Sequence, residues 1–150
     1  MNFISTFVEA EHARLDQLLN DFLAELKNVE KASVLFQQFN AQLLLHMKLE
    51  DDYLFPRLSE YLEMDTDSGL AQRARHDHLV IQRLVSFVEE ACQLNELKKI
   101  VVSARNLQQS LIRHHAREKE LQYPVSDRFI PREEWDLILI RVYGERNQEI

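Results

Sequence analysis

A chain of 150 residues with 45% hydrophobic side chains can bury one sizeable core and is too short for two domains of ordinary size, so a single domain over 1–150 is expected. Two glycines and three prolines among many Leu, Glu, Gln, Ala, Lys and Arg argue against a turn-rich sheet and for long helices, which makes the fold class all-α. A net charge of -7 without a Lys/Arg cluster argues against nucleic acid and anionic membranes, and leaves small ligands, a protein partner or a second copy of the chain.

Apolar residues recur at helical spacing over about 3–27, where Val8, Leu15, Leu19 and Leu26 surround the direction of His12. Asn28 marks the first turn. The second stretch, about 31–62, places Leu35, Phe39, Leu43, Leu49 and Tyr53 within about 60° of His46, with Gln42 a polar residue among them. The loop Asp65, Thr66, Asp67, Ser68, Gly69 forms the second turn. In the third stretch, about 69–93, Ala74, Ile81, Val85 and Cys92 surround His78, and Asn95 marks the third turn. In the fourth, about 96–122, Ile100, Leu107, Leu111 and Leu121 surround His114 and Glu118, and Pro124 closes the helix. A shorter stretch over about 131–143 starts at Pro131, and its Trp135 is expected to pack on the rest. Short links make neighbouring helices antiparallel. The expected architecture is an up-down-up-down four-helix bundle over about 3–122, with a C-terminal extension at 125–150 that holds a short fifth helix.

No apolar stretch approaches the roughly 20 residues that a bilayer-spanning helix needs. The N-terminus lacks the basic region and apolar run of a signal peptide, and the lone cysteine, Cys92, can form no intrachain disulfide. Both features fit a reducing cytoplasm.

The chain repeats itself. The segment around Glu11-His12 resembles that around Asp77-His78 at an offset of 66 residues, and His46, Glu50 and Pro56 are matched by His114, Glu118 and Pro124 at an offset of 68. Two helical hairpins of one plan are therefore expected, each with one His on its first helix and a His-x-x-x-Glu on its second. Positions i and i+4 of a helix lie about 40° apart, so each such pair points one way. Height agrees as well. His12 and His46 have their midpoint at residue 29 and His78 and His114 at residue 96, both in turns, and Glu50 and His78 have theirs at 64, close to the second loop. All six side chains converge on one layer.

Two buried carboxylates facing each other are costly unless protonated or paired with cations. No Lys or Arg points squarely into the layer, and Arg75 and Arg117 reach only its edge. A metal supplies the missing charge, and imidazole with carboxylate suits iron, manganese or zinc. Six ligands exceed one zinc site. Two ions bridged by Glu50 and Glu118, one capped by His12 and His46 and the other by His78 and His114, use every group.

On His12, the run His46 to Pro56, His78 and the run His114 to Pro124, the sequence resembles the hemerythrin/HHE cation-binding family over residues 5–124. The resemblance implies a non-haem di-iron centre with an oxo or hydroxo bridge, for which zinc or manganese could substitute. Hemerythrins that carry oxygen reversibly have a fifth histidine one turn before the third-helix ligand and an aspartate bridge; here Ala74 and two glutamates stand at those places. The expected role is therefore to bind or reduce dioxygen, peroxide or nitric oxide as a sensor, scavenger or weak oxidoreductase. Iron holding or delivery related to iron-sulfur cluster repair is the second expectation, and a metal-free structural or interaction bundle is the third.

The remaining polar residues have plainer roles. His76 lies about 200° from His78 and is expected in solvent, and His115, about 100° from His114, at the rim or in a supporting place. Asp16 is assigned to the helix surface, and Tyr53 to the core, with a hydrogen bond to a ligand as its alternative. The loop at 65–69 fails as a calcium site because its glycine comes one place early and His76 stands where a Glu is needed. A ferritin-like site fails because only Glu9 and His12 have its Glu-x-x-His spacing, and Glu9 points off the core.

Overall fold

Each apolar stripe has become a helical rod. The computed structural model describes residues 2–64 and 69–148, with side chains through residue 144. The first rod is α1 (Phe3–Ala24). The Asn28 side chain accepts a hydrogen bond from the Lys31 N–H at 3.2 Å and so caps α2 (Val29–Lys48), which runs on through a π-helical segment, π1 (Leu49–Leu54), into α3 (Phe55–Tyr61). Then comes α4 (Gly69–Gln93). The turn after it carries Asn95 at φ 53, a left-handed conformation that asparagine tolerates. The fourth rod is α5 (Leu97–Arg117), π2 (Glu118–Gln122) and α6 (Tyr123–Phe129), and α7 (Arg132–Gln148) ends the chain. The second turn and the rejected calcium loop fall largely on 65–68, outside the described residues.

Helix α1 packs on α2 and α4 on α5, while α1 also meets α5 and α2 meets α4. That ring of neighbours is the expected up-down-up-down bundle, all-α among the described residues. None of the described helices is long and apolar enough to cross a membrane.

Pro124 does not close the fourth helix, contrary to the expectation from sequence. Proline lacks an N–H and its ring clashes with the carbonyl four residues back. A π segment accommodates this by inserting one residue: the Phe55 N–H donates to the Glu50 carbonyl, and the Tyr123 N–H to the Glu118 carbonyl, each five residues back. Both rods thus continue past their prolines. The insertion also shifts which residues face inward. Leu121, expected in the core, is 48% exposed and Tyr53 is half-buried, while Leu54, Phe55, Gln122 and Tyr123 are buried.

Two apolar clusters sandwich the polar layer. One holds Leu15, Leu19, Phe22, Phe36, Phe39 and Leu107 toward the turns at 25–28 and 94–96. The other holds Ile4, Val8, Leu54, Phe55, Tyr123 and Trp135. As expected, Trp135 packs on the bundle, its ring edge-on to Phe7 at 5.5 Å. Helix α7 extends beyond the predicted stretch, and Glu134 on it pairs with Arg57 at 2.6 Å. The Asp127 carboxylate accepts the Ile4 N–H at 2.8 Å, tying the start of α1 to α6.

Candidate metal centre

Helix α1 contributes His12, α2 His46, π1 Glu50, α4 His78, α5 His114 and π2 Glu118, and all six are buried, the two glutamates at 0% exposure. They meet in one layer, as the spacing predicts. The Nε2 atoms of His12 and His46 lie 3.1 Å apart, and those of His78 and His114 3.0 Å apart. Two nitrogens bound at a right angle to one ion, each at about 2.1 Å, are separated by about 3.0 Å. Glu50 Oε1 lies 3.1 Å from His46 Nε2 and 3.4 Å from His78 Nε2, and Glu118 Oε1 lies 3.1 Å from His114 Nε2 and 3.8 Å from His12 Nε2. Each carboxylate therefore spans both histidine pairs.

Three further carboxylates hold the outer edges of the imidazoles. Nδ1 of His46 meets Glu11 Oε2 at 2.7 Å, Nδ1 of His78 meets Asp51 Oδ1 at 2.9 Å, and Nδ1 of His114 meets Asp77 Oδ2 at 3.0 Å. A carboxylate there keeps a proton on Nδ1 and turns Nε2 inward. Glu11 is itself held by the Tyr143 hydroxyl of α7 at 2.7 Å, and Asp77 by Arg117 at 2.5 Å. Sequence reasoning assigned these acids no role. Their signal is adjacency, since Glu11, Asp77 and Asp51 each neighbour a residue of the layer, but each reaches across to a different helix. Lys119 stands 68 residues after Asp51, and His12 is held instead by stacking on His115, ring centroids 3.4 Å apart and planes within 7°.

Tyr123 takes the place expected as an alternative for Tyr53. Its hydroxyl donates to Glu50 Oε2 at 2.8 Å and lies 3.0 Å from Glu118 Oε1, 3.0 Å from His12 Nε2 and 3.5 Å from His46 Nε2. Only the π segment turns this residue inward, so an α-helical count from Glu118 misses it. His115, expected at the rim or in support, is 8% exposed, and its Nε2 is buried without a hydrogen-bond partner. His76, Asp16 and Glu9 are exposed, as the sequence predicts.

Protons stand in for cations in the metal-free layer. Burial lowers His12 to about 3, aided by the charge on His46, and burial also lowers His114. Burial opposes charge on His46 and His78 too, but Glu50 and Glu11 lift the first and Asp51 with Glu50 lifts the second to about 10. Within each pair the positive charge is therefore favoured on one ring, His46 in the first and His78 in the second. Burial and the facing Glu50 push the Glu118 carboxyl well above its usual range, whereas at Glu50 the penalty of burial is outweighed by His46 and Glu50 stays ionised. Even so, Glu50 Oε1 and Glu118 Oε2 are buried without hydrogen-bond partners. An orphaned buried acceptor costs about 1–3 kcal/mol. Nitrogen and oxygen lone pairs converge here on positions that cations would satisfy, and the donor set suits iron, manganese or zinc. Two groupings could each hold an ion: His12, His46, His115 and Glu118, and Glu50, His78, His114 and Glu118, with donor atoms within 4.8 Å of one another.

The family profile of the Hemerythrin HHE cation binding domain matches residues 4–125. No curated protein and no solved structure gives a significant match.

Proposed function

The chain belongs to the hemerythrin HHE cation-binding family, and on that premise we propose that it is a non-haem di-iron protein that binds or reduces dioxygen, peroxide or nitric oxide. His12 with His46 would hold one ion and His78 with His114 the other, with Glu50 and Glu118 bridging them. The reading rests chiefly on two pairs of inward Nε2 atoms 3.0 and 3.1 Å apart, spanned by carboxylates that keep an unpartnered buried oxygen each.

Iron bound there would supply electron transfer and coordination positions for a small ligand. The protein's own part is positioning and exclusion. Glu11, Asp51 and Asp77 fix the imidazoles, and the apolar clusters on either side keep bulk water from the layer. Tyr123 holds a proton at Oη beside both bridging carboxylates. Complete burial of Glu50 and Glu118 favours retention of the ions over ready delivery, so a sensing, scavenging or weak oxidoreductase role is the better reading.

Metal analysis of protein produced with iron, joined to optical spectra before and after oxygen, peroxide and nitric oxide, tests the proposal. Two irons per chain and spectra that respond to at least one reagent are expected. One zinc per chain with spectra silent to all three would overturn it. Asp77→Asn should weaken metal binding about 10–100-fold in chelator competition, because His114 loses its orienting acceptor. An unchanged affinity would show that Asp77 does not support a ligand.

Metal uptake should also release protons, since His78 carries an extra one in the metal-free chain at pH 7 and His46 and Glu118 are shifted toward holding theirs. With His78 lifted to about 10, apparent affinity rises with pH through neutrality, about tenfold per pH unit for each proton displaced. A flat affinity profile across neutral pH would contradict this assignment of protons.

A further inference from the structure

Helix α4 carries two apolar stripes. One, with Ala74, Ile81, Val85 and Val88, faces the core beside His78. The other, Val80, Leu84, Phe87, Ala91 and Leu94, advances by alternate steps of four and three residues, the spacing of a coiled-coil seam, on the outer side of the helix. Half or more of the surface of Phe87, Leu94 and, on α5, Val102 faces solvent, and with Leu84 these residues line a surface groove of about 460 Å³ between the two helices. The bundle does not require this stripe. At the 66-residue offset of the repeat, Val80, Phe87, Ala91 and Leu94 correspond to Arg14, Asp21, Glu25 and Asn28 in the first hairpin.

Arg83 and Glu90 form one edge of the outer stripe, both exposed and within about 60° of Phe87 on the same side of it. A two-fold axis across the helix at Phe87 keeps that edge on one side for both copies and reverses its direction. Arg83, four residues before Phe87, then faces the partner's Glu90, three residues after it, and the same pair forms a second time by symmetry. A parallel arrangement would instead set Arg83 against Arg83 and Glu90 against Glu90. We propose that this outer face of α4 is the interface of a homodimer whose two α4 helices pack antiparallel about Phe87, with Arg83 of each copy paired to the partner's Glu90. Val80 and Leu94 meet at the ends of the seam, Leu84 and Ala91 lie between, and Phe87 packs on its own mate, so the stripe covers itself. An apolar centre with a charged rim is the make-up of a specific protein interface. A second copy fits this face better than an unrelated helix because the charges on the rim complement themselves. None of these residues belongs to the polar layer, so dimerisation does not depend on the metal reading above.

Sedimentation equilibrium of the protein, with and without iron, is the test. At about 100 µM the unaltered chain is expected at twice its 17.8 kDa, as a micromolar Kd would give. Arg83→Glu and Glu90→Arg each set like charges together twice per dimer, and either should weaken self-association by about tenfold or more. Both positions are exposed, so circular dichroism should show both variants folded. Mixed together, the two variants should form a heterodimer as tight as the parent dimer, because each supplies the charge the other lacks, and a chain carrying both changes should self-associate again. Phe87→Glu should be monomeric alone and in mixtures. A monomeric unaltered chain, dimers indifferent to Phe87→Glu, or charge variants that do not recover on mixing would overturn the proposed interface.

Discussion

Glu118→Gln should abolish stoichiometric metal uptake and yet make the metal-free chain more stable at pH 7, by about 1–3 kcal/mol. Glu118 has no exposed surface, its Oε2 has no hydrogen-bond partner, and burial together with the facing Glu50 lifts its pKa far above the usual carboxylate range. A carboxyl raised on folding costs nothing below its unfolded value of about 4.5, and destabilises progressively as pH rises from there toward its folded value. Glutamine mimics the neutral acid without having to acquire a proton. The gain should therefore disappear near pH 4 and grow toward neutrality, where it raises Tm by about 2–4 °C per kcal/mol for a chain of this size. Thermal unfolding of both metal-free proteins at the two pH values measures this. A variant no more stable than the parent at pH 7 would mean that Glu118 finds adequate partners without metal. On the di-iron reading, Glu118 holds cations at the expense of the empty fold.

Phe22→Ala should have the opposite character, a loss of about 3–5 kcal/mol that is the same with and without metal. Phe22 is wholly buried, its ring 5.1 Å from Phe36, which in turn lies 5.5 Å from Phe39, in a cluster that contains no residue of the polar layer. Truncation leaves a cavity between α1 and α2 that helices packed on two further neighbours cannot fully collapse. Tm should fall on the order of 10 °C. Independent sites add within about 0.5 kcal/mol, so the metal affinity of the variant should stay that of the parent. Denaturant unfolding with and without bound metal, set beside a chelator titration, reads both quantities. A weakened metal site would show that the apolar end near the turns sets the spacing of the ligand helices.

The six residues of the layer were legible because helical periodicity and distance from a turn are properties of spacing alone: His12, His46, His78 and His114 needed only to be level, and Glu50 and Glu118 only to sit one turn further on. What counting could not reach falls into two kinds. Glu11, Asp51 and Asp77 act across an interface, on a histidine of another helix, and a helix read by itself carries no such information. An ideal α-helix continued through Glu118 turns Leu121 inward, but the backbone gains a residue there, so Leu121 is exposed and Tyr123 is buried. Pro124 is visible in the sequence, but a proline there signals a helix end as readily as a wider turn before it. By angle alone His115 falls at the rim or in support; it is buried and supports His12 by stacking, because a helix in a ring of four touches two neighbours and so has two inward flanks.

The wide turns at Glu50 and Glu118 have a bearing on how the chain can change in length. Each extra residue advances everything beyond it by about 100°, and it does so at the matching place in both hairpins. The stretches carrying Phe55 and Tyr123 are thereby swung in concert, so a lineage that dropped one residue from a single rod would leave its far end out of phase with the rest of the bundle. Since those far ends pack on α1 and α4, which have no such turn, the two wide turns are kept by contact with the unwidened helices, whereas the links between rods can lengthen one at a time.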